Sequence, residues 1–361
     1  MTVYNVNNRK TKSYPLFMGD RLSAQDYTSP AYPIFMKLYE SQEDAHWRRK
    51  EFDLSVDATN MAALPKGLRH MFNTNFQFQI ISDSIQGRGP FLLLPYVSAP
   101  ELELCIGSWG RFEQLHSAVY TEILLSLYPD PSEVLDPIYK APDSIMNRSK
   151  HLIDAYDAFL SNPTKLNLYF CINAINILEA QQFFNTFNCT FAMNEEGKFE
   201  GVGKYLAMIA RDENLHTAIT QNILNAWYLG IDSDPEMKAI ANDDSNRFKV
   251  FSMWDEAVTR EKENISYLHS EGGKLIYASE KQLMDYIEFN ANRRMNNLGL
   301  PTPYDTKNDP LPWVQKKYLS SKGKQYALQE TENNAYKVGG ITPSNADNLK
   351  KFTSLKPNFG V

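Results

Sequence analysis

The chain has 361 residues, 43% of them hydrophobic and 12% aromatic, enough for a deep core and unlike a disordered or fibrous composition. A net charge of −6 gives nucleic acid no basic field to bind, so no nucleic-acid partner is expected. Residues 1–17 lack the apolar stretch of a signal peptide and no later segment approaches the ~20 apolar residues that span a bilayer, so no membrane association and a cytoplasmic location are expected. Three scattered cysteines, Cys105, Cys171 and Cys189, are too few for a disulfide framework and read as small core residues in a reducing compartment.

Apolar residues recur at helical spacing in long stretches, while alternating runs with hairpin turns are almost absent, so the fold class is all-α. The spacing predicts a helix over 64–86, with Phe72, Phe76 and Ile80 leading to Asp83. A second begins at about Pro100, a good first helical residue after Ser98, and stops at Tyr128 before Pro129 and Pro131. A third runs from near Pro163 to about Met193, and a fourth over 201–230. Ser279 with Gln282 makes a capping box for a helix that ends near Gly299. From Gln315 the periodicity is lost and eight Lys face only Glu330, Glu332 and Asp347, a net of +5 that leaves the body at −11. The expected organisation is a helical domain over 1–314 and a flexible tail over 315–361, whose charge split suits either a docking segment or a solubilising terminus.

Glu-x-x-His puts two metal-binding side chains on one helix face, about 5–6 Å apart at Cβ, where both can reach one ion. The motif occurs three times although the chain has six histidines. Glu43/His46 lies among charged residues in SQEDAHWRRKEF and reads as a solvated face. Glu113/His116 and Glu213/His216 differ, because each sits within an otherwise apolar stripe: Leu102, Ile106, Trp109 and Leu124 in one helix, Leu206, Ile209, Ile223 and Trp227 in the other. An uncompensated carboxylate on a core face costs several kcal/mol, so each needs a partner. A buried Glu–His ion pair would serve one helix, but for two a shared metal is the economical answer. Asp83 and Glu179 bring lone carboxylates to similar positions on two further helices. One carboxylate from each of two helices with Glu-x-x-His from each of two others is the ligand set of ferritin-like di-metal bundles. Hard oxygen donors with two imidazoles favour iron or manganese over zinc.

These residues stand in strings, DSIQGR, FEQLHSAVY, NILEAQQFF and IARDENLH, that resemble the class I ribonucleotide reductase small subunit in its tyrosyl-radical form over nearly the whole chain. The resemblance implies a carboxylate-bridged site of two iron ions per chain, with manganese possible, held by Asp83, Glu113, His116, Glu179, Glu213 and His216. It implies that this site uses dioxygen to oxidise Tyr120 to a radical, inside an apolar pocket of Phe183, Phe187 and Ile209. Trp47 in HWRR and Asp212 match the family's residues beyond His116, and a carboxylate that orients a ligating histidine gives that match a physical rationale. Tyr336, preceded by Glu330, matches its interface redox tyrosine. The partners implied are a second copy of the chain, as a homodimer, and the large (alpha) subunit, which reduces ribonucleotides and binds the tail. That tail ends in NLKKFTSLKPNFGV, basic where many family tails are acidic, and the segment between Ser161 and Cys171 is shorter than in some members. Two other readings of the same ligand set are iron storage, for which the chain is too long, and a di-metal oxidase that attacks a bound substrate.

Overall fold

The computed structural model describes residues 4–8, 13–20, 24–140 and 143–319, with the backbone alone at 143–145. Helices α1 (Pro33–Asp44) and α2 (Ser55–Ala62) lead to α3 (Lys66–Gln86), the short α4 (Gly89–Leu93) and the long α5 (Pro100–Leu127). A crossover through α6 (Ser132–Tyr139) and α7 (Asp143–Ser161) reaches α8 (Lys165–Ile177), which passes through one π turn (Leu178–Gln182) into α9 (Phe183–Glu195). Next come α10 (Glu200–Leu229), α11 (Pro235–Asn242), α12 (Asp244–His269), α13 (Glu280–Asn297) and α14 (Pro312–Lys317). Among the described residues the only β pairing is an isolated bridge between Phe17 and Val97.

Local chemistry sets the ends of several of the long helices. In α5 Pro100 occupies the first turn, where its missing N–H leaves nothing unpaired, and Glu101 and Glu103 sit at the positive end of the helix dipole. Tyr128 turns extended, as a residue before proline favours. α8 starts on Thr164, whose side chain accepts from the Asn167 N–H. α10 stops at Gly230, which adopts the left-handed conformation (φ 69°), and the Ile231 N–H returns to the Ala226 carbonyl at 2.8 Å. The capping box of Ser279 and Gln282 opens α13 as its sequence predicts.

α3 packs on α5 and α9, α10 packs on α5, α8 and α9, and α1 lies across α5 and α10, so the four core elements enclose one apolar interior. The stretch read from the sequence as a single helix over 163–193 is interrupted by the π turn. A π turn adds a residue to one turn and rotates the succeeding segment by about 100° relative to a regular helix, a change that apolar spacing does not reveal. Side chains from α13 and the turn itself support it: Asn290 Nδ2 donates to the Ala180 carbonyl (2.9 Å) and to Gln181 Oε1 (2.8 Å), and Gln181 Nε2 donates to the Ile287 carbonyl (2.8 Å).

α14 crosses the boundary expected at residue 315. Just beyond it Tyr318 stacks on Phe191 (ring centroids 4.1 Å), accepts from Asn194 Nδ2 and donates to Glu195 Oε1. The remainder of the expected docking segment, with Glu330, Tyr336, Leu349, Phe352, Leu355 and Phe359, lies outside the described residues.

A buried ion pair ties the crossover to the second half of the chain. Arg148 of α7 donates twice to Glu261 of α12 (2.8 and 2.9 Å), donates to Thr186 Oγ1 of α9, and lies over the Phe78 ring of α3 at 3.6 Å. Gln182 and Asn185 add hydrogen bonds to the same carboxylate. Arg148→Met strands Glu261 in the core and is predicted to destabilise the protein by about 3–5 kcal/mol, with a smaller loss in Arg148→Met/Glu261→Gln. Urea denaturation of the two variants checks this; a single variant no less stable than the double contradicts it.

Candidate metal centre

Asp83, Glu113, His116, Glu179, Glu213 and His216 are all fully buried. Each reaches the interior from a different turn of the four core elements: Asp83 from α3, Glu113 and His116 from α5, Glu179 from the π turn, Glu213 and His216 from α10. His116 Nδ1 lies 3.2 Å from Glu213 Oε1, 3.7 Å from Glu113 Oε2 and 3.9 Å from Asp83 Oδ2. His216 Nδ1 lies 2.7 Å from Glu213 Oε2, 2.9 Å from Glu113 Oε1 and 3.9 Å from Glu179 Oε2. Two donor groups result, Asp83/Glu113/His116/Glu213 and Glu113/Glu179/Glu213/His216, each with its ligand atoms within 4.8 Å of one another. Glu113 and Glu213 belong to both groups, which is what a carboxylate-bridged pair of ions requires.

The donor set fits a metal pair on the evidence of its own unpaired atoms. Both Asp83 oxygens, Glu113 Oε2, Glu179 Oε2 and Glu213 Oε1 are buried without a hydrogen bond, although buried polar groups are nearly always paired. Electrostatics agrees. Burial, reinforced by the charge of Glu113, raises the Asp83 carboxyl well above the usual range, and burial with Glu113 and Glu213 does the same to Glu179. Burial alone would raise Glu113 and lower both histidines; instead His216 and His116 hold Glu113 down at about 2. In return Glu213 and its neighbours push His116 well up, and Glu113 and Glu213 push His216 to about 9. Without metal, the shifts run in the direction that bound cations would otherwise compensate: Asp83 and Glu179 towards their neutral forms, His116 and His216 towards their cations.

Around this cluster the structure brings together several residues singled out in the sequence. His116 Nε2 faces Asp212 Oδ2 at 3.2 Å, and the same oxygen accepts from Trp47 Nε1 at 2.6 Å. Asp212 is buried, yet Arg211, His116 and Trp47 hold its pKa below the ordinary value. Tyr120 is buried with its hydroxyl unpartnered; burial and the charges of Asp83, Glu213 and Glu113 raise its pKa well above that of a free phenol. Phe183, Phe187 and Ile209 are fully buried, but the ring that packs edge-on to Tyr120 is Phe76 (5.6 Å), a residue read from sequence only as core. Glu43 and His46 stand apart on the surface, with Arg111 beside both. The three cysteines are free and buried.

Three polar contacts were not anticipated. Trp109, read as part of an apolar stripe, donates from Nε1 to Glu113 Oε1 at 2.7 Å. Gln86 donates to Glu179 Oε1 and accepts from the Tyr156 hydroxyl at 3.0 Å. Gln86 was legible in principle, being three residues after Asp83 on one helix face; Tyr156 comes from α7, and nothing local in the sequence connects them.

A family model described as ribonucleotide reductase, small chain, matches residues 24–310. The ribonucleoside-diphosphate reductase subunit beta of Haemophilus influenzae is 35% identical over 365 positions, covering 94% of this chain and 96% of that protein. Ribonucleoside-diphosphate reductase 1 subunit beta of Salmonella typhimurium is 34% identical, covering 97% and 99%. Among solved structures, the ribonucleotide reductase R2 subunit from Clostridium botulinum has the same fold, with a TM-score of 0.80 at 20% identity over 88% of this chain and 97% of that one.

Removing a donor common to both groups should cost the site one or both ions. Equilibrium dialysis against Fe(II) or Mn(II) is predicted to give two ions per chain for the parent and for Glu43→Ala, and none or one for Glu113→Ala and Glu213→Ala. Because metal competes with protons for these histidines and carboxylates, whose pKa values are raised in the metal-free site, loading should also release protons and weaken as pH falls. Full occupancy in both Glu→Ala variants contradicts the assignment.

Proposed function

The chain belongs to the ribonucleotide reductase small-chain family, and on that premise we propose that it is the radical-generating subunit of a ribonucleoside-diphosphate reductase. The observation that carries this reading is the placement of an unpartnered, fully enclosed phenol, Tyr120, beside a six-residue donor set whose two shared carboxylates suit an ion pair. Asp83, Glu113, His116, Glu179, Glu213 and His216 would hold two iron ions, and the same hard donors would accept manganese. When bound and reduced, the metal pair supplies from dioxygen the oxidising equivalent for a tyrosyl radical.

The chain's own residues determine where that oxidation goes and how long it lasts. Since its surroundings make the Tyr120 phenolate costly, Tyr120 would give up its electron and its phenolic proton together, both to the dioxygen-derived oxidant, and become a neutral radical. The apolar wall that includes Phe76 gives water and small reductants no polar group to follow inward. Trp47 and Asp212 form the exit. The ionised Asp212 holds the Trp47 N–H at 2.6 Å, so an electron drawn from the indole can be matched by movement of its proton to Asp212 Oδ2. Asp212 also faces His116 Nε2, which couples the route to a ligating residue.

The large subunit performs the ribonucleotide chemistry, and the segment after residue 319 docks to it. Glu330 and Tyr336 serve the redox step there. Leu349, Phe352, Leu355 and Phe359 anchor, and the Lys residues add an attraction that weakens with salt. A homodimer is the assembly, in the cytoplasm; no helix among the described residues is long and apolar enough to cross a membrane.

Four variants test the reading. Tyr120→Phe should bind and oxidise iron without the tyrosyl signal, while Trp47→Phe keeps metal and radical and loses turnover by orders of magnitude; a parent-like signal in the first or parent-like turnover in the second refutes the corresponding role. Truncation after Gly340 should abolish binding to the large subunit with the Tyr120 radical intact, and Tyr336→Phe should bind without turnover. A truncated chain that still competes for the large subunit refutes the anchor.

A further inference from the structure

One of the metal-facing carboxylates has an oxygen already claimed by a neutral side chain. Glu179 Oε1 accepts from Gln86 Nε2, and Gln86 Oε1 accepts from the Tyr156 hydroxyl at 3.0 Å. All three side chains are buried. With Glu179 ionised, as a metal ligand must be, the amide cannot point the other way, because a carboxylate only accepts: flipping Gln86 would set its carbonyl against Glu179 and its NH2 against the Tyr156 hydroxyl. The Tyr156 O–H, by donating to the carbonyl, therefore fixes which face of the amide Glu179 meets.

The backbone makes room for this relay. At Gly89, just past the end of α3, a Cβ would come within 2.0 Å of the Tyr156 hydroxyl oxygen and 3.1 Å of Gln86 Oε1. The Glu179 main chain is fixed separately by the π turn, through Asn290 on the Ala180 carbonyl. What remains unpaired on Glu179 is Oε2, which lies on the His216 side of the cluster, 3.9 Å from His216 Nδ1.

We propose that Tyr156 and Gln86 are positioning residues that occupy Glu179 Oε1 and so present Glu179 to the ion on the His216 side through Oε2 alone. The inference rests on the dinuclear reading of the site and sharpens it, because it makes the two ions unequal. Loss of the relay lets Glu179 swing or offer both oxygens, which affects the group containing Glu179 and His216 and leaves the group containing Asp83 and His116 intact.

Full-length parent, Tyr156→Phe, Gln86→Met, their double variant and Gly89→Ala are titrated with Mn(II), followed by calorimetry and by electron paramagnetic resonance, which separates single from paired ions. Partners that orient a ligand typically change metal affinity by about 10–100-fold. Gln86→Met should weaken one of the two ions by that factor, and Tyr156→Phe should weaken the same ion by less. The double variant should match Gln86→Met, since Tyr156 acts through Gln86, and Gly89→Ala should follow Tyr156→Phe. Effects that add in the double variant, equal weakening of both ions, or unchanged titrations in a parent that binds two ions overturn the proposal. Should Gln86→Met not fold, Tyr156→Phe and Gly89→Ala still decide it, because both retain Gln86. A parent that binds no ion pair overturns the dinuclear reading instead.

Discussion

Four carboxylates and two imidazoles are held away from water in the middle of a helical protein, and the rest of the structure is arranged around that constraint. Each charged form is too costly to bury alone, so the groups must share positive charge. In the metal-free protein Asp83 and Glu179 are pushed towards their neutral forms and both histidines towards their cations. A pair of divalent cations would provide the positive charge better, since five carboxylate oxygens have no hydrogen bond to give up. The four core elements are long because each must deliver its donor to the centre and still bury apolar turns above and below it.

The same constraint explains the inner polar contacts. Gln86 on Glu179 and Asp212 on His116 each fix one atom of a side chain whose other atom faces the cluster, and Trp109 holds the Glu113 oxygen that also meets His216. The π turn belongs to this set as well. By changing the helix phase at Glu179 it allows one continuous rod to bury Ile172 and Ile175 before the turn, Phe183 and Phe187 after it, and still turn a carboxylate inward.

Much of this was legible in the sequence, for a physical reason. An ionisable residue within an apolar stripe is costly unless it has work to do, so Glu113, His116, Glu213 and His216 stand out on periodicity alone, and Asp83 and Glu179 emerge once a shared partner is required. The limits of helices with strong caps or breakers, such as Pro100, Gly230 and Ser279, were readable too. What was hidden depends on contacts between distant segments. The π turn leaves the apolar pattern unbroken, the Arg148–Glu261 pair joins residues more than a hundred positions apart, and Tyr156 meets Gln86 only because Gly89 leaves room. The short amphipathic helices α1, α2, α6 and α11 and the longer α7 and α12 also escaped, their apolar faces being set by the core they cover.

The central claim is that one dinuclear centre satisfies all six buried groups, and anomalous diffraction from crystals of the parent protein loaded with Mn(II) tests it most directly. The account predicts two peaks per chain about 3.5–4 Å apart, a spacing usual for paired ions, with Glu113 and Glu213 touching both. A single peak, or peaks that leave Asp83 or Glu179 unligated, would contradict it.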